Sequence, residues 1–190
     1  AYSFDSAMGI GPGSFGALGR LTLLTDARLA PAGALQIDLA RSGADQLAVI
    51  ADPDAAQPSV GGLILGGTLV LNPLAADRPR TGDRFRIVTA EGGLLGDFDA
   101  VADLPGVMRG QLAYSANAID VALSAGLYAD LAQMSDETQA PYARLLDAAR
   151  GPADGPLAGL YDGFDYLEGQ ALATGLRSLA PLGLANAEVL

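Results

Sequence analysis

The chain has 190 residues, carries 22 acidic against 11 basic side chains, every one of the latter arginine, and contains neither cysteine nor histidine. That length suits one domain burying roughly 70% of its unfolded surface, while the missing residue types exclude disulfides, thiolate metal sites, cysteine nucleophiles and every imidazole-dependent triad or metal site. A formal charge of −11 repels phosphate backbones and anionic lipid, so no nucleic-acid partner is expected.

The opening "AYSFDSAMGI" has neither the basic start nor the apolar stretch of a signal peptide, and both ends read as cuts from a longer chain. Residues 11–16, "GPGSFG", match G-x-G-x-x-G, the spacing of a dinucleotide loop. Such a loop needs a strand before it and a helix opening at its end. The next residues are "ALGRLTLLTDARL", whose Leu21/Leu23 alternation reads as a strand, and Pro12 is awkward in a close-packed glycine turn. A sharp corner is the better reading. Ser14 is not in a G-x-S-x-G elbow and has no histidine to activate it, which rules it out as a nucleophile.

Period two then dominates to about residue 125. Leu35, Ile37 and Leu39 alternate with Gln36 and Asp38, and the pattern returns at Leu47/Val49/Ala51, Phe85/Ile87 and Ile119/Val121/Leu123. Such runs, bounded by Gly, Pro or Asp, predict strands with one buried face, recurring often enough for a sandwich, barrel or solenoid. The greasiest run, "SVGGLILGGTLVL", has 13 residues and four glycines, too short to span a bilayer. Beyond 126 the period becomes helical. Tyr142, Leu145, Leu146 and Ala149 form one stripe, with Pro141 in the first turn; Leu157, Leu160, Tyr161 and Phe164 form a second; Leu172, Leu176 and Leu179 form a third, ending at Pro181. These stripes are expected to pack on protein rather than in a wet pore. Strands first and helices last argue against βαβ alternation.

The words between these turns carry a family resemblance. "PGSFGALGRLTL" and "LAPAGALQIDLARSGADQLAVIA", then "LGGTLVLNP", "TGDRFRIVTAEGGLLGDFDAV" and "LAYSANAIDVAL", resemble the C-terminal part of bacterial autotransporter (type V secretion) passenger domains. The resemblance covers about residues 9–124 and is strongest from Gly66 to Leu123. "SDETQAPYARLLDAARG" and "GLYDGFDYLEGQALATGLRSLAP" are similar to the helical stretch leading to the family's translocator barrel, with Thr138 where Asn is common and Pro141 unusual. The resemblance implies a mainly β fold, a right-handed single-stranded parallel β-helix (solenoid) with a C-terminal α-helical segment. Residues 1–125 would be the passenger rungs, about 66–124 an autochaperone-like region, and 126–190 the helical linker before an outer-membrane β-barrel. The residues expected to shape the folding motif are Gly66, Gly67, Gly82, Phe85, Ile87, Gly93, Gly96, Phe98, Tyr114 and Val121.

Other motifs have plainer readings. Asp52-Pro53-Asp54 lacks the alternating ligands of a calcium loop and reads as a connection between strands. Asp97 and Asp99 have the spacing of a glycosidase carboxylate pair on one face, but a solvated strand end is preferred. Phe85, Phe98 and Tyr114 could form an aromatic sugar platform; core filling by the phenylalanines and edge cover by Tyr114 is preferred.

The function expected from all this is structural: a folding template that stabilises the passenger and drives its secretion, without catalytic, metal or cofactor site, at the bacterial surface or released from it. Its partners would be its own barrel and the outer-membrane assembly machinery. The rivals are an adhesin stem holding a glycan or host protein, and the non-catalytic part of a secreted protease or esterase.

Overall fold

The computed structural model describes residues 2–4, 9–14, 16–131 and 139–179. The segments that "AYSFDSAMGI", Phe15, Thr138 and Pro181 contribute to the sequence reading therefore lie partly or wholly outside the described residues. The chain divides into two compact units, Ala1–Leu104 with Gly110–Ser124, and Pro105–Arg109 with Ala125–Leu190.

Alternation makes the strands of the first unit, and glycine and aspartate end them. Three sheets result. One pairs β1 (Tyr2–Phe4), β4 (Ala27–Leu29), β8 (Leu63–Ile64) and β11 (Leu94–Leu95) in that order. A second runs β2 (Gly9–Ile10), β5 (Ala34–Ala40), β9 (Thr68–Pro73) and β12 (Ala100–Val101), with β6 (Gly43–Ala44) folded back on β5. The third runs β3 (Arg20–Leu24), β7 (Gln46–Ile50), β10 (Arg84–Ala90), β14 (Ala118–Ala125) and β13 (Met108–Tyr114). Where strands are parallel, like stacks on like: Leu35 lies opposite Leu69, Ile37 opposite Leu71, and Leu47 between Leu21 and Val88. Leu35, Ile37, Leu39, Leu69, Val49 and Ile87 are all at most 1% exposed and form the core. Gln36, between two of them, faces solvent.

This architecture corrects the expected fold class. Among the described residues it is a mixed α/β arrangement of several small sheets with four helices, not a single-stranded parallel β-helix. The β10–β14 pair is antiparallel, with Phe85 opposite Val121 and a register shift between Arg86 and Val88, and β6 runs antiparallel to β5. The physical cause is local. The turn at Ser115–Asn117 sends the chain straight back: the Ser115 amide donates to the Ala118 carbonyl at 2.9 Å, and the Ser115 hydroxyl bonds both the amide and the carbonyl of Ala118 at 3.0 Å. Doubling back over so short a loop excludes a parallel continuation, which needs a long crossover.

Corners between strands leave backbone amides without ladder partners, and carboxylates take them. Asp45, 2% exposed, accepts from the amides of Gly19 (2.6 Å) and Asp38 (3.1 Å). Asp26 accepts from Val60 and Gly62, Asp77 from Ser42, Glu91 from Ala51, and Asp99 from Gly67 at 2.5 Å. Each link joins residues 26 to 40 positions apart, apart from the seven between Asp38 and Asp45.

The second unit is helical: α1 (Tyr128–Leu131), α2 (Gln139–Ala149), α3 (Ala158–Phe164) and α4 (Gly169–Ser178). Pro141 sits in the first turn of α2, where its missing amide is not needed. The α2 stripe differs from expectation by rotation: Gln139, Ala140, Ala143 and Leu146 are buried, whereas Leu145 is 58% exposed. Leu145 and Leu146 lie about 100° apart around the axis, so only one faces the core, and the small Ala143 lets the neighbouring helices approach. Among the described residues no helix is long and apolar enough to cross a membrane, which leaves strand-built barrels untouched.

Two outcomes are expected for stability. Asp45→Ala strands two amides at a buried corner and should lower unfolding free energy by about 2 kcal/mol in urea titration, with Asp45→Asn, which keeps one acceptor, losing less. The second concerns pH. Hydrogen bonds from the Ser42 side chain and amide hold the Asp77 carboxyl below its ordinary 3.8, and the Arg86 hydrogen bond does the same for Asp120. A depressed folded pKa means that their stabilisation is complete above 3.8 and is lost as pH falls through the lower folded values. The urea midpoint should therefore decline below pH 3.8, and the Asp77→Asn/Asp120→Asn double variant should show a shallower decline.

Candidate functional site

The residues expected to shape the folding motif do not converge on a cleft. Phe85 and Ile87 on β10 and Val121 on β14 point into the core of the strand unit, 9%, 0% and 0% exposed. Phe98, between β11 and β12, is equally buried, and its amide donates to the hydroxyl of the half-exposed Tyr114 at 3.4 Å. Buried faces of Phe85 and Phe98 cannot serve as a sugar platform. Gly82, Gly93 and Gly96 have positive φ, and Gly66 packs beside the Leu29 carbonyl. Gly67 is the most constrained of them: its φ is +65°, and a Cβ there would lie 2.2 Å from the Gly33 carbonyl oxygen. Its amide is the one held by Asp99. Asp99 is thus an exposed residue immediately before β12, the solvated strand end expected there, and it also staples this corner.

The corner at Gly11–Gly16 has a comparable explanation. A Cβ on Gly13 would sit 2.1 Å from the Ala17 carbonyl oxygen, so backbone crosses backbone there. Asp38 accepts from the Gly16 amide at 3.1 Å, and Asp45 from that of Gly19. A dinucleotide loop offers free amides to a phosphate. Here carboxylates already hold them and would repel one. Asp52 forms an isolated bridge to Ser59, the expected connection, and among the described residues no group of three or more acidic side chains could hold a metal ion.

The polar centre that sequence reasoning missed lies inside the helical unit. Arg150, at the end of α2, meets Asp165 at the end of α3 through two bonds, Nη2 to Oδ1 at 2.6 Å and Nη1 to Oδ2 at 3.2 Å. Tyr128 on α1 donates its hydroxyl to Asp165 Oδ1 at 2.5 Å. The guanidinium lies over the rings of Tyr128 and Tyr161, 5.1 and 4.4 Å from their centroids, and these rings are stacked. Tyr161 bonds the Leu146 carbonyl at 2.8 Å. Burial first, then the bond to Asp165, raises the Tyr128 phenol pKa, so it stays a donor. Burial alone would lower the pKa of Arg150, but the bond and charge of Asp165 outweigh it, so the cation is retained. Leu146, Leu172, Leu176 and Val107 wrap this centre in apolar contact. The four polar residues are scattered over 38 positions, and only Tyr161 and Asp165, four apart, give any sign of it in sequence. With both Asp165 oxygens and both phenol oxygens engaged, its chemistry is that of a lock.

Open relief lies on the outer face of the third sheet. Two neighbouring depressions of about 350 and 210 Å³ are lined by Arg84, Arg86 and Asp120, and by Arg20, Gln46, Arg86 and Thr89, respectively. Arg86 forms a bidentate pair with Asp120, at 2.9 and 3.1 Å.

Breaking the buried lock should be costly. Asp165→Ala leaves Arg150 uncompensated and should destabilise the helical unit by about 3 kcal/mol, whereas the Arg150→Met/Asp165→Leu pair should recover most of that loss. Helical circular dichroism followed through urea unfolding measures both.

No protein-family model matches this chain, and no curated protein matches it at a significant level.

Proposed function

We propose that the chain is a structural, non-catalytic segment of a secreted or surface-displayed passenger of the autotransporter type, in which the last strands act as folding template for those before them. The order of sequence words from Gly66 to Leu123 supports the family assignment. The mixed sheets set aside the purely parallel fold that went with it, and the proposal does not need that fold.

One observation carries the template role. In the third sheet β10 has an antiparallel partner, β14, on one edge, paired across 29 to 38 positions, and a parallel partner, β7, on the other, paired across 41. The β13–β14 hairpin closes over a short turn, and Phe85 on β10 meets Val121 from some 36 positions away. The β13–β14 hairpin is the local pairing here, so it pays little loop-closure entropy and forms early, and β10, β7 and β3 join it across longer connections. A formed β10–β14–β13 sheet then offers the open edge of β10 to β7, and β7 offers its own edge to β3. Stepwise pairing of this kind needs no ATP, because folding free energy supplies the direction. In a surface passenger the same sequence of events outside the cell would bias the chain against sliding back through its barrel, with the outer-membrane assembly machinery and that barrel as partners.

Two substitutions of similar cost separate template from ordinary core. Phe85→Ala in β10 and Leu35→Ala in β5 each remove a buried side chain worth about 3 kcal/mol. If β10 is in the template, Phe85→Ala should slow refolding by about tenfold or more, while Leu35→Ala should act mainly by speeding unfolding. Stopped-flow refolding and unfolding in urea read both limbs. On cells displaying the intact passenger, Phe85→Ala should also reduce the protease-protected surface fraction more than Leu35→Ala. Equal effects of the two on refolding would refute the template role.

A further inference from the structure

We propose that the outer face of the third sheet is a groove for a linear acidic polysaccharide whose sugars carry carboxylates, a uronate-type chain. The chain as a whole carries −11, yet the two depressions on this face are lined by three guanidiniums and one carboxylate. That carboxylate, Asp120, is spent on Arg86. Arg86 borders both depressions, so they adjoin and read as one track.

The spacing follows from sheet geometry. Arg84 and Arg86 are two apart on β10, both exposed, which sets their stems about 6.8 Å apart along one face. Arg20 on β3 lies two strands away from β10, about 9.6 Å across the sheet. Charges at such intervals suit a polymer carrying one carboxylate per sugar or per pair of sugars. Arg20 and Arg84 each present a planar fork that matches a carboxylate through two bonds, while the fork of Arg86 is already on Asp120. Gln46 and Thr89 lie between the arginines and supply groups for ring hydroxyls, while Ala113 and Ala122 leave a low apolar floor for sugar C–H faces.

Charge density discriminates against nucleic acid. A duplex presents one phosphate per about 1.7 Å, most of which would face this chain's acidic surface without a cation to meet them. An extended acidic peptide docks best by adding a strand to an open sheet edge, and this track crosses the face of a sheet, where backbone groups are already paired.

The test uses the whole chain and oligogalacturonate as probe, with its methyl-esterified form as the uncharged counterpart and single-stranded DNA as the dense polyanion. Calorimetric titration at low salt should show saturable binding of oligogalacturonate and none of the ester. The Arg20→Gln/Arg84→Gln variant, which spares the Arg86–Asp120 pair, should bind at least tenfold more weakly with unchanged circular dichroism. Arg28→Gln, on β4 of a different sheet, should bind like the parent. No binding of oligogalacturonate, equal binding of the ester, equal or tighter binding of DNA, or equal loss in Arg28→Gln would each overturn the proposal. None of these outcomes bears on refolding order, so the groove and the template stand or fall separately.

Discussion

The strand unit depends on carboxylates that hold backbone amides at its corners. A strand that ends in a tight turn leaves N–H groups pointing where no ladder partner exists, and a buried, unsatisfied amide costs about as much as a lost hydrogen bond. Asp26, Asp38, Asp45, Asp77, Asp99 and Glu91 answer this by accepting from amides in a neighbouring turn of chain. Because the acceptor is charged, each bond is stronger than a neutral one. Because it comes from a distant part of the sequence, each also ties one connection to the next. The acidic surplus is therefore part of the architecture as well as a property of the surface. It also explains why a glycine-rich corner that resembles a phosphate loop cannot work as one.

The helical unit meets the same need for specificity differently. Its helices are short, and α3 and α4 carry two glycines each, which lowers their intrinsic stability. Packing has to hold them, and apolar packing alone tolerates many rotations. The Arg150–Asp165 pair between Tyr128 and Tyr161 admits few, because two charges and two hydroxyls must be satisfied together. Glu168 and the Asp165 carbonyl extend the arrangement by taking the amides of Gly106 and Val107. Gly106 is the residue that permits this approach, since a Cβ there would meet the Asp165 carbonyl oxygen at 2.1 Å.

Sequence separation is unequal across the third sheet. Its β13–β14 hairpin closes over the turn at Ser115–Asn117, whereas its other pairings join residues 26 to 41 positions apart. The same strands place Arg20, Arg84 and Arg86 on one exposed face. Inward positions of β10 thus fill the core while outward ones carry arginines, a division of labour that two-residue alternation makes available within one strand.

Much of the local structure is legible in the residues. Alternation at Leu35/Ile37/Leu39, Phe85/Ile87 and Ile119/Val121/Leu123 marks strands β5, β10 and β14 and states which side of each is buried. The change of period after 126 precedes α1 at Tyr128, and the glycines at 67, 82, 93 and 96 mark turns with positive φ. Alternation does not say which strand lies alongside, nor in which direction, because a buried leucine packs equally well against a parallel or an antiparallel neighbour. The family resemblance supplied that missing choice as uniformly parallel, and the turn at Ser115–Asn117 decided otherwise. Likewise the helical stripe reads as Tyr142, Leu145, Leu146 and Ala149, and the fit against neighbouring helices buries Ala143 with Leu146 and leaves Leu145 outside. The Arg150–Asp165–Tyr128 lock and the three-arginine face unite residues with no common period or spacing. Their chemistry is written in the chain, but their meeting is decided by tertiary structure, since charge and hydrogen bonding act through distance in space and periodicity records only distance along the chain.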